Sequence, residues 1–312
     1  MPSIPASTQP LPDLQTSGDL IADRRYAYAF ALLQEKEGEA AKDLFAQVLE
    51  RVPHWPPALL GMGDACLLIQ DEAQALVYFR LCLTHDPSDR LGAAPRLARL
   101  NAYNAADAIS PAYVTALFDD YAKRFDTHLI DTLAYRAPDC LLQALLQERS
   151  SFDTTYDLGC GTGLMAALLR PYVRLLSGCD LSLAMLNEAR LKNIYDRLDQ
   201  DDCVHALQHM SPATLDLITA ADVVVYMGDL TTLFDQVRQR LRPGGIFAFT
   251  AQACQGASFI IGDDLRSAHS ENYLRQQAKQ TDLICLRFES VSVRRDRDQP
   301  VAGWLCVFKS KE

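Results

Sequence analysis

The chain of 312 residues carries 40 acids against 30 Lys and Arg, a formal net charge of −10, with 49% hydrophobic and 22% charged residues. That balance describes a folded protein larger than one average domain. It excludes the basic patch of a nucleic-acid binder, since the acid excess holds in both halves, 14 acids against 9 bases over 1–110 and 26 against 21 over 111–312. There is no run of 18 apolar residues to span a membrane. The nine cysteines form no C-x-x-C pair and fall mostly in apolar segments, which points to reduced, buried thiols, no metal site and a cytoplasmic location. Residues 1–20 lack the basic and apolar regions of a signal peptide.

In chain order, residues 1–20 are rich in Pro, Ser, Thr and Gln, the composition of a disordered tail. Over 21–108 a repeat sets the pattern. Ala41, Phe45, Val48, Leu49 and Pro53 recur 34 positions later as Ala75, Phe79, Cys82, Leu83 and Pro87, and Ala29 recurs as the small Gly63. Small residues let paired helices approach, the phenylalanines fill the space between them, and each proline ends a second helix. The spacing predicts helices near 22–35, 38–51, 56–69 and 72–85, with one near 90–106 closing the stack. This period resembles the tetratricopeptide repeat, an all-α architecture whose concave surface can hold a protein partner. Two repeats are fewer than the ~3 usual for a free-standing stack, so the module is expected to lean on the rest of the chain.

Residues 109–150 read as a helical bridge. Phe118, Tyr121, Phe125 and Leu129 share one helical stripe, either a packed apolar face or a lid over a ligand. From 151 to 312 strands and helices alternate. Strands are expected at 154–158, 174–179, 198–202, 215–221, 245–251, 283–290 and 302–309, and helices at 163–170, 183–193, 229–241 and 270–279. Such alternation gives an α/β, Rossmann-like doubly wound sheet. The last two strands flank Arg294–Pro300 with no helix between them, which requires an antiparallel C-terminal hairpin. Arg294, Arg295 and Arg297 alternate there with Asp296 and Asp298, the pattern of a solvated turn.

The most informative stretch is Asp157-Leu158-Gly159-Cys160-Gly161-Thr162-Gly163, with Asp180 21 residues after Gly159. Glycine at alternate positions allows a tight turn and close approach of a ligand. A carboxylate one βα unit later has the reach to hydrogen-bond ribose hydroxyls. The spacing narrows the ligand. Leu164 stands where a dinucleotide fingerprint needs Gly, which disfavours an NAD-linked reductase, and no Gly-Lys-Ser/Thr closes a P-loop. Cys160 reads as a small residue that fits the loop, not as a nucleophile.

This D-x-G-x-G-x-G run resembles motif I of class I S-adenosylmethionine-dependent methyltransferases, and the whole chain resembles bacterial methyltransferases carrying N-terminal tetratricopeptide repeats. The resemblance implies S-adenosyl-L-methionine as methyl donor. It places Asp157, Gly159, Cys160, Gly161 and Gly163 around the methionine and ribose, Asp180 on the ribose hydroxyls, and Leu181 and Met185 beside the adenine, although Met185 also suits helix core. It gives Asp202, or Asp201, the adenine amine and the Cys203 N–H the adenine ring. Tyr121 belongs to the helix that covers the cofactor, and Asp222 and Tyr226 end the fourth strand where sulfonium and acceptor meet. His269, beside the N-cap Ser270, has a pKa suited to a general base or is a surface residue. The fourth strand end lacks Asn/Asp-Pro-Pro-Tyr/Phe and Pro-Cys, which argues against methylation of DNA bases. A small-molecule or protein acceptor, methylated on O or N, is the expectation. The rival is a non-catalytic adaptor that keeps the fold while its repeats recruit a partner.

Overall fold

Alternating small and aromatic side chains assemble the N-terminal helices. In the computed structural model, which describes residues 16–127, 129, 135–256, 258–296 and 299–311, α1 (Leu20–Gln34), α2 (Gly38–Arg51), α3 (Pro56–Leu68) and α4 (Glu72–His85) pack in succession. Both ends of α2 and α4 are offset by the 34 residues of the sequence repeat. Phe45 and Phe79 are fully buried, and a Cβ added at Gly61 or Gly63 would lie 2.4 Å from the Phe45 or Phe79 ring respectively. The rings occupy space that the glycines leave open, so a methyl group at either glycine would force the helices apart. Pro53 and Pro87 stand two residues past the ends of α2 and α4, as expected of residues that cannot extend a helix.

Two expectations fail here. The tail prediction lies outside the described residues for 1–15, but 16–19 are tied down. Asp19 accepts hydrogen bonds from the Ile21 and Ala22 N–H groups and pairs with Arg51, while Ser17 N–H donates to Asp23. The closing helix is also shorter than 90–106. α5 covers only Ala93–Arg99, because Gly92 precedes it at φ +78° and Asn101 follows it at φ +56°. Asp89 caps α5 through the Ala93 and Ala94 N–H groups at 2.6 and 3.1 Å. Arg96 of α5 forms a two-point pair with Asp64 of α3 at 2.7 and 3.0 Å and donates to the Gly92 carbonyl at 2.8 Å, with both charged residues buried.

The chain divides into two units within α6 (Pro111–Tyr121): one comprises residues up to 117 with 261–266, the other 118–260 and 267 onward. The second unit continues with α7 (Phe125–Thr127), α8 (Ala137–Glu148), β1 (Phe152–Leu158), α9 (Leu164–Leu169), β2 (Val173–Asp180) and α10 (Leu183–Leu191). Then come β3 (Arg197–Gln200), α11 (Cys203–Gln208), β4 (Leu215–Ala220), α12 (Thr231–Arg240), β5 (Leu241–Ala253), β6 (Phe259–Ile261) and β7 (Ser267–His269). α13 (Glu271–Gln280), β8 (Leu283–Val291), β9 (Arg295–Asp296), β10 (Gln299–Pro300) and β11 (Gly303–Ser310) complete it.

The main sheet runs β3-β2-β1-β4-β5-β11-β8. The first five strands are mutually parallel, and β11 is antiparallel to both β5 and β8, the reversal expected of the C-terminal hairpin. Both faces are covered, as parallel strands require. In β5, Phe247 and Phe249 point to one face, where they meet Phe234 of α12 and Phe308 of β11; Ile246 and Ala248 point to the other, against α8 and α9 residues such as Leu141 and Met165. The two-residue period of a strand thus feeds two separate cores. The strand expected at 198–202 ends at Gln200, because Asp202 turns the chain into α11 by accepting from the Val204 and His205 N–H groups. The short pair β6 and β7, with β7 parallel to β5, was not anticipated, since three-residue strands carry too little periodicity to be seen.

Asp64→Ala leaves the buried Arg96 guanidinium without its counter-charge. It is expected to destabilise the helical unit by ~3–5 kcal/mol in chemical denaturation, and a loss under about 1 kcal/mol would mean that the pair is not what holds α5 on α3.

Candidate functional site

The parallel strands present their carboxyl ends together, and the loops there gather the chemistry-bearing residues. After β1 the backbone enters the left-handed region at alternate residues: Gly159 at φ +54°, Gly161 at +54° and Gly163 at +91°. The three glycines do different work. A Cβ at Gly159 would lie 2.7 Å from Val223 and one at Gly163 3.1 Å from Tyr195, so both positions are closed by the protein itself. At Gly161 the nearest atom is Phe125 Cε1 at 3.8 Å, ordinary van der Waals contact, so a Cβ would fit there without a clash. The loop is anchored by Cys160 N–H on the Cys179 carbonyl at 2.9 Å and by Gly163 N–H on the Cys160 carbonyl at 2.9 Å.

Asp180, the last residue of β2, faces this loop. One carboxylate oxygen accepts from Gly161 N–H at 2.8 Å and the other from Ser182 N–H at 2.8 Å. Burial raises its pKa above the usual carboxylate range. Asp157 lies deeper. It is buried and accepts from the Thr219 hydroxyl of β4 and the Tyr195 hydroxyl, each at 2.7 Å, and burial pushes its carboxyl up to about 6. It therefore braces the loop against its neighbours instead of facing a ligand directly. Cys160 is buried with its thiol pKa raised by desolvation, as suits a space-filling residue.

A second layer closes over the loop from α6 and α7. Asp119 accepts from the Ser182 hydroxyl at 2.5 Å, and that same hydroxyl caps α10 at Met185 N–H. Asp126 accepts from the Thr162 hydroxyl and pairs with Lys192 at 2.5 Å. Tyr121 and Phe118 pack edge-on against Phe125, and Phe118 packs edge-on against Tyr226. The expected stripe is therefore present but not on one continuous helix, since the chain tightens into a 3₁₀ turn at Ala122–Arg124. The lid residues Asp119, Asp126, Thr162 and Lys192 were missed as site residues. The first two lay inside the stripe, but nothing in the spacing marks their partners.

Beyond β3, Asp202 is half-buried and holds the start of α11, and Cys203 opens that helix, where a first-turn N–H has no intrahelical acceptor. The Cys203 thiol is buried beside Cys179, and this neighbour and burial raise its pKa. Leu181 follows Asp180 and is half-buried, whereas Met185 is fully buried in α10. Met185 is a correction: its side chain is helix core and touches no open space.

Two further expectations are overturned at the acceptor side. Asp222, at φ +60°, has both carboxylate oxygens on Arg294 at 2.9 and 2.8 Å, and Arg294 also donates to Gln252 at 2.6 Å. Its charge is thus committed to an ion pair. Arg294 itself is buried, not part of a solvated turn, and so ties the C-terminal hairpin to the ends of β4 and β5. His269 ends β7 instead of opening a helix, is fully buried, and places Nε2 2.9 Å from the Gly228 carbonyl. A carbonyl only accepts, so Nε2 carries the proton. Burial lowers the imidazole pKa to about 4, and the ring packs on Phe259 and Tyr273. It is neither a surface histidine nor a base within reach of an acceptor. Ser270 does cap α13, through Tyr273 N–H.

Residues 156–247 match the family model described as a methyltransferase domain. Malonyl-(acyl-carrier protein) O-methyltransferase of Salmonella typhimurium is 29% identical over 169 residues, covering 53% of this chain and 64% of that enzyme. Trans-aconitate 2-methyltransferase of Deinococcus radiodurans is 35% identical over 124 residues, covering 38% of this chain and 45% of that enzyme. The chain therefore spans less than two thirds of the length of either relative. Magnesium protoporphyrin IX methyltransferase from Synechocystis PCC 6803, solved with bound S-adenosylmethionine, superposes with a TM-score of 0.51 at 15% identity, covering 64% of this chain and 97% of that one. The C-terminal unit has the class I S-adenosylmethionine-dependent methyltransferase fold.

His269 gives the domain a distinct acid response. Its folded pKa of about 4 lies below the ordinary 6.5, so between these values the unfolded chain binds more protons than the folded one. The stability it confers is present above pH 6.5 and lost as pH falls towards 4. His269→Gln should flatten the fall in denaturation free energy across that window by up to about 3 kcal/mol relative to the parent. Parallel curves for the two proteins would show that the imidazole is not held neutral.

Proposed function

We propose that the protein transfers the methyl group of S-adenosyl-L-methionine to an oxygen of a small acidic molecule, in the cytoplasm. The observation that carries this reading is the turn at Gly161: a left-handed glycine whose N–H is fixed by Asp180 and whose Cβ direction meets only the edge of the Phe125 ring, at 3.8 Å. A nucleoside placed there meets a carboxylate able to take both ribose hydroxyls. The N–H at the start of α11 and the half-buried Asp202 then serve the adenine, Leu181 provides apolar wall, and Tyr121 and Phe125 cover the methionine portion.

When bound, S-adenosylmethionine supplies an electrophilic methyl on a sulfonium. The chain's own task is then orientation, which can contribute ~7–11 kcal/mol to lowering a barrier. Asp157 and Thr219 hold the loop rigid, and the Asp119–Ser182 and Asp126–Thr162 contacts hold the covering segment on it. Tyr226, half-buried against Phe118, lies on the acceptor side. Of the two acid–base candidates nearby, Asp222 is paired with Arg294, and His269 is fully buried with its Nε2–H on a carbonyl and its Nδ1 enclosed without a partner. A carboxylate acceptor fits such a site, because it is already deprotonated near neutral pH and needs no base. The acceptors named for the two relatives, malonyl-(acyl-carrier protein) and trans-aconitate, support the same class. For the N-terminal unit we propose tetratricopeptide-type repeats that recruit a protein partner or carrier, on the 34-residue offset of α2 and α4 and the Phe–Gly packing.

Calorimetry with S-adenosylhomocysteine tests the donor site. Asp180→Ala is expected to weaken binding ~10–100-fold, the scale of lost hydrogen bonds to a charged group. Parent-like affinity would remove the motif assignment, and no heat with the parent would leave only an adaptor. Gly161→Ala adds a methyl with room in the protein, at a left-handed cost of about 1–2 kcal/mol. It should fold yet bind the cofactor at least tenfold more weakly, and undiminished binding would mean that this side of the turn does not face the cofactor. Methyl transfer from labelled donor to di- and tricarboxylic acids, with alcohols and amines as comparison, tests the acceptor. Preference for an amine would reject the carboxylate reading while leaving the donor site intact.

A further inference from the structure

We infer that His205 and His209, with Asp201 orienting the His205 ring, form a surface site on α11 for a divalent transition-metal ion of the imidazole-preferring class. The three residues offer donor atoms that all lie within 4.8 Å of one another. Their spacing of four residues places the two imidazoles on one face of the helix, with ring centroids 4.2 Å apart.

The hydrogen bonds fix which nitrogens are available. His209 Nδ1 lies 2.8 Å from the His205 carbonyl. A carbonyl cannot donate, so this nitrogen carries the proton and the lone pair is on Nε2. His205 Nδ1 lies 2.7 Å from one Asp201 carboxylate oxygen and 2.9 Å from the other, and the same reasoning leaves its lone pair on Nε2. Both imidazoles are thereby set in the tautomer that ligates through Nε2. The Asp201–His205 pair is the carboxylate–histidine arrangement that orients a metal-binding ring and raises its basicity. Both histidines are exposed and can rotate to bring their nitrogens to the roughly 3.3 Å separation that bonds of about 2.0–2.1 Å require, with water completing the shell. Two imidazole nitrogens favour Zn²⁺, Ni²⁺ or Cu²⁺ over Mg²⁺ or Ca²⁺, which prefer all-oxygen sets.

Position gives the ion a consequence. Asp201 precedes the N-cap Asp202, and His209 is the C-cap of the same six-residue helix. An ion held by His205 and His209 would tie the first turn of α11 to its C-cap and so clamp an element too short to be stable alone. Metal binding at these side chains requires neither cofactor nor methyl transfer and is measured without them.

The test uses full-length protein free of any polyhistidine tag, titrated with Zn²⁺ and with Ni²⁺ by calorimetry. Cys285→Ser is the background, since Cys285 is the exposed thiol among the nine. The expected result is one saturable equivalent of each ion, a rise in melting temperature with Zn²⁺, and loss of both in His205→Ala and His209→Ala. Asp201→Asn should lower affinity ~10–100-fold, as loss of an orienting partner does. Should an alanine variant misfold by circular dichroism, the His→Gln counterpart replaces it. The proposal is overturned if the parent shows no saturable equivalent, if either histidine variant binds within about twofold of the parent, or if Mg²⁺ binds as well as Zn²⁺.

Discussion

The carboxylate of Asp180 is the joint on which the candidate site depends. With one oxygen on Gly161 N–H and the other on Ser182 N–H, it holds together the loops that follow two adjacent parallel strands. Each connection leads outward. Gly161 fixes the turn into α9, and Ser182 both caps α10 and receives Asp119 from the covering segment. A neutral amide of similar shape would set its NH2 against one of these two N–H donors, because it has an acceptor oxygen at only one of the two positions. Burying this charge is unfavourable, which is why its pKa rises, and the two charge-assisted hydrogen bonds offset that cost. A ligand carrying hydroxyls to the same oxygens would find them already desolvated and aimed.

The proposed acceptor side, at the ends of β4 and β5, is built on a different principle. Its charged groups are spent on one another: Asp222 on Arg294, Arg294 on Gln252, the His269 N–H on a carbonyl. Such a region does little acid–base chemistry. What it provides is shape, because the Arg294 pair fixes the C-terminal hairpin across the ends of β4 and β5. The left-handed turn at Asp222 allows its carboxylate to reach that arginine.

The glycine turn and its contact with Asp180 were legible because their determinants are local. Three glycines at alternate positions and an acid one βα unit on are bound to adjacent turns of one sheet, and any parallel sheet will bring them together. The alternation of strands and helices and the C-terminal reversal were legible for the same reason, as were Phe45 and Phe79 at their helical spacing. What failed was non-local. Nothing near Arg294 distinguishes a solvated arginine from one that will meet Asp222, 72 residues away. His269 was read beside a genuine N-cap, yet whether it faced water depended on β6 and β7, two strands too short to announce themselves. Met185 satisfied both a helical core pattern and a ligand-wall position, and only the packing of α10 decides between them.

This asymmetry follows from the chemistry required. A sulfonium donor is one molecule, and the groups that recognise a ribose, an amine and a carboxylate at fixed separations can be written into a short stretch of sequence. An acceptor already ionised at neutral pH asks for no catalytic side chain, only for a surface that aligns one oxygen with the methyl. That surface comes from elements far apart in the chain: Phe118 before the sheet, Tyr226 after β4, and the hairpin beyond residue 290 that Arg294 holds in place. Changing Arg294 would therefore loosen a wall and leave the reacting atoms untouched. On the proposed reading, acceptor choice is accordingly a property of packing, spread over segments whose side chains carry no motif, whereas donor choice rests on one turn and one acid.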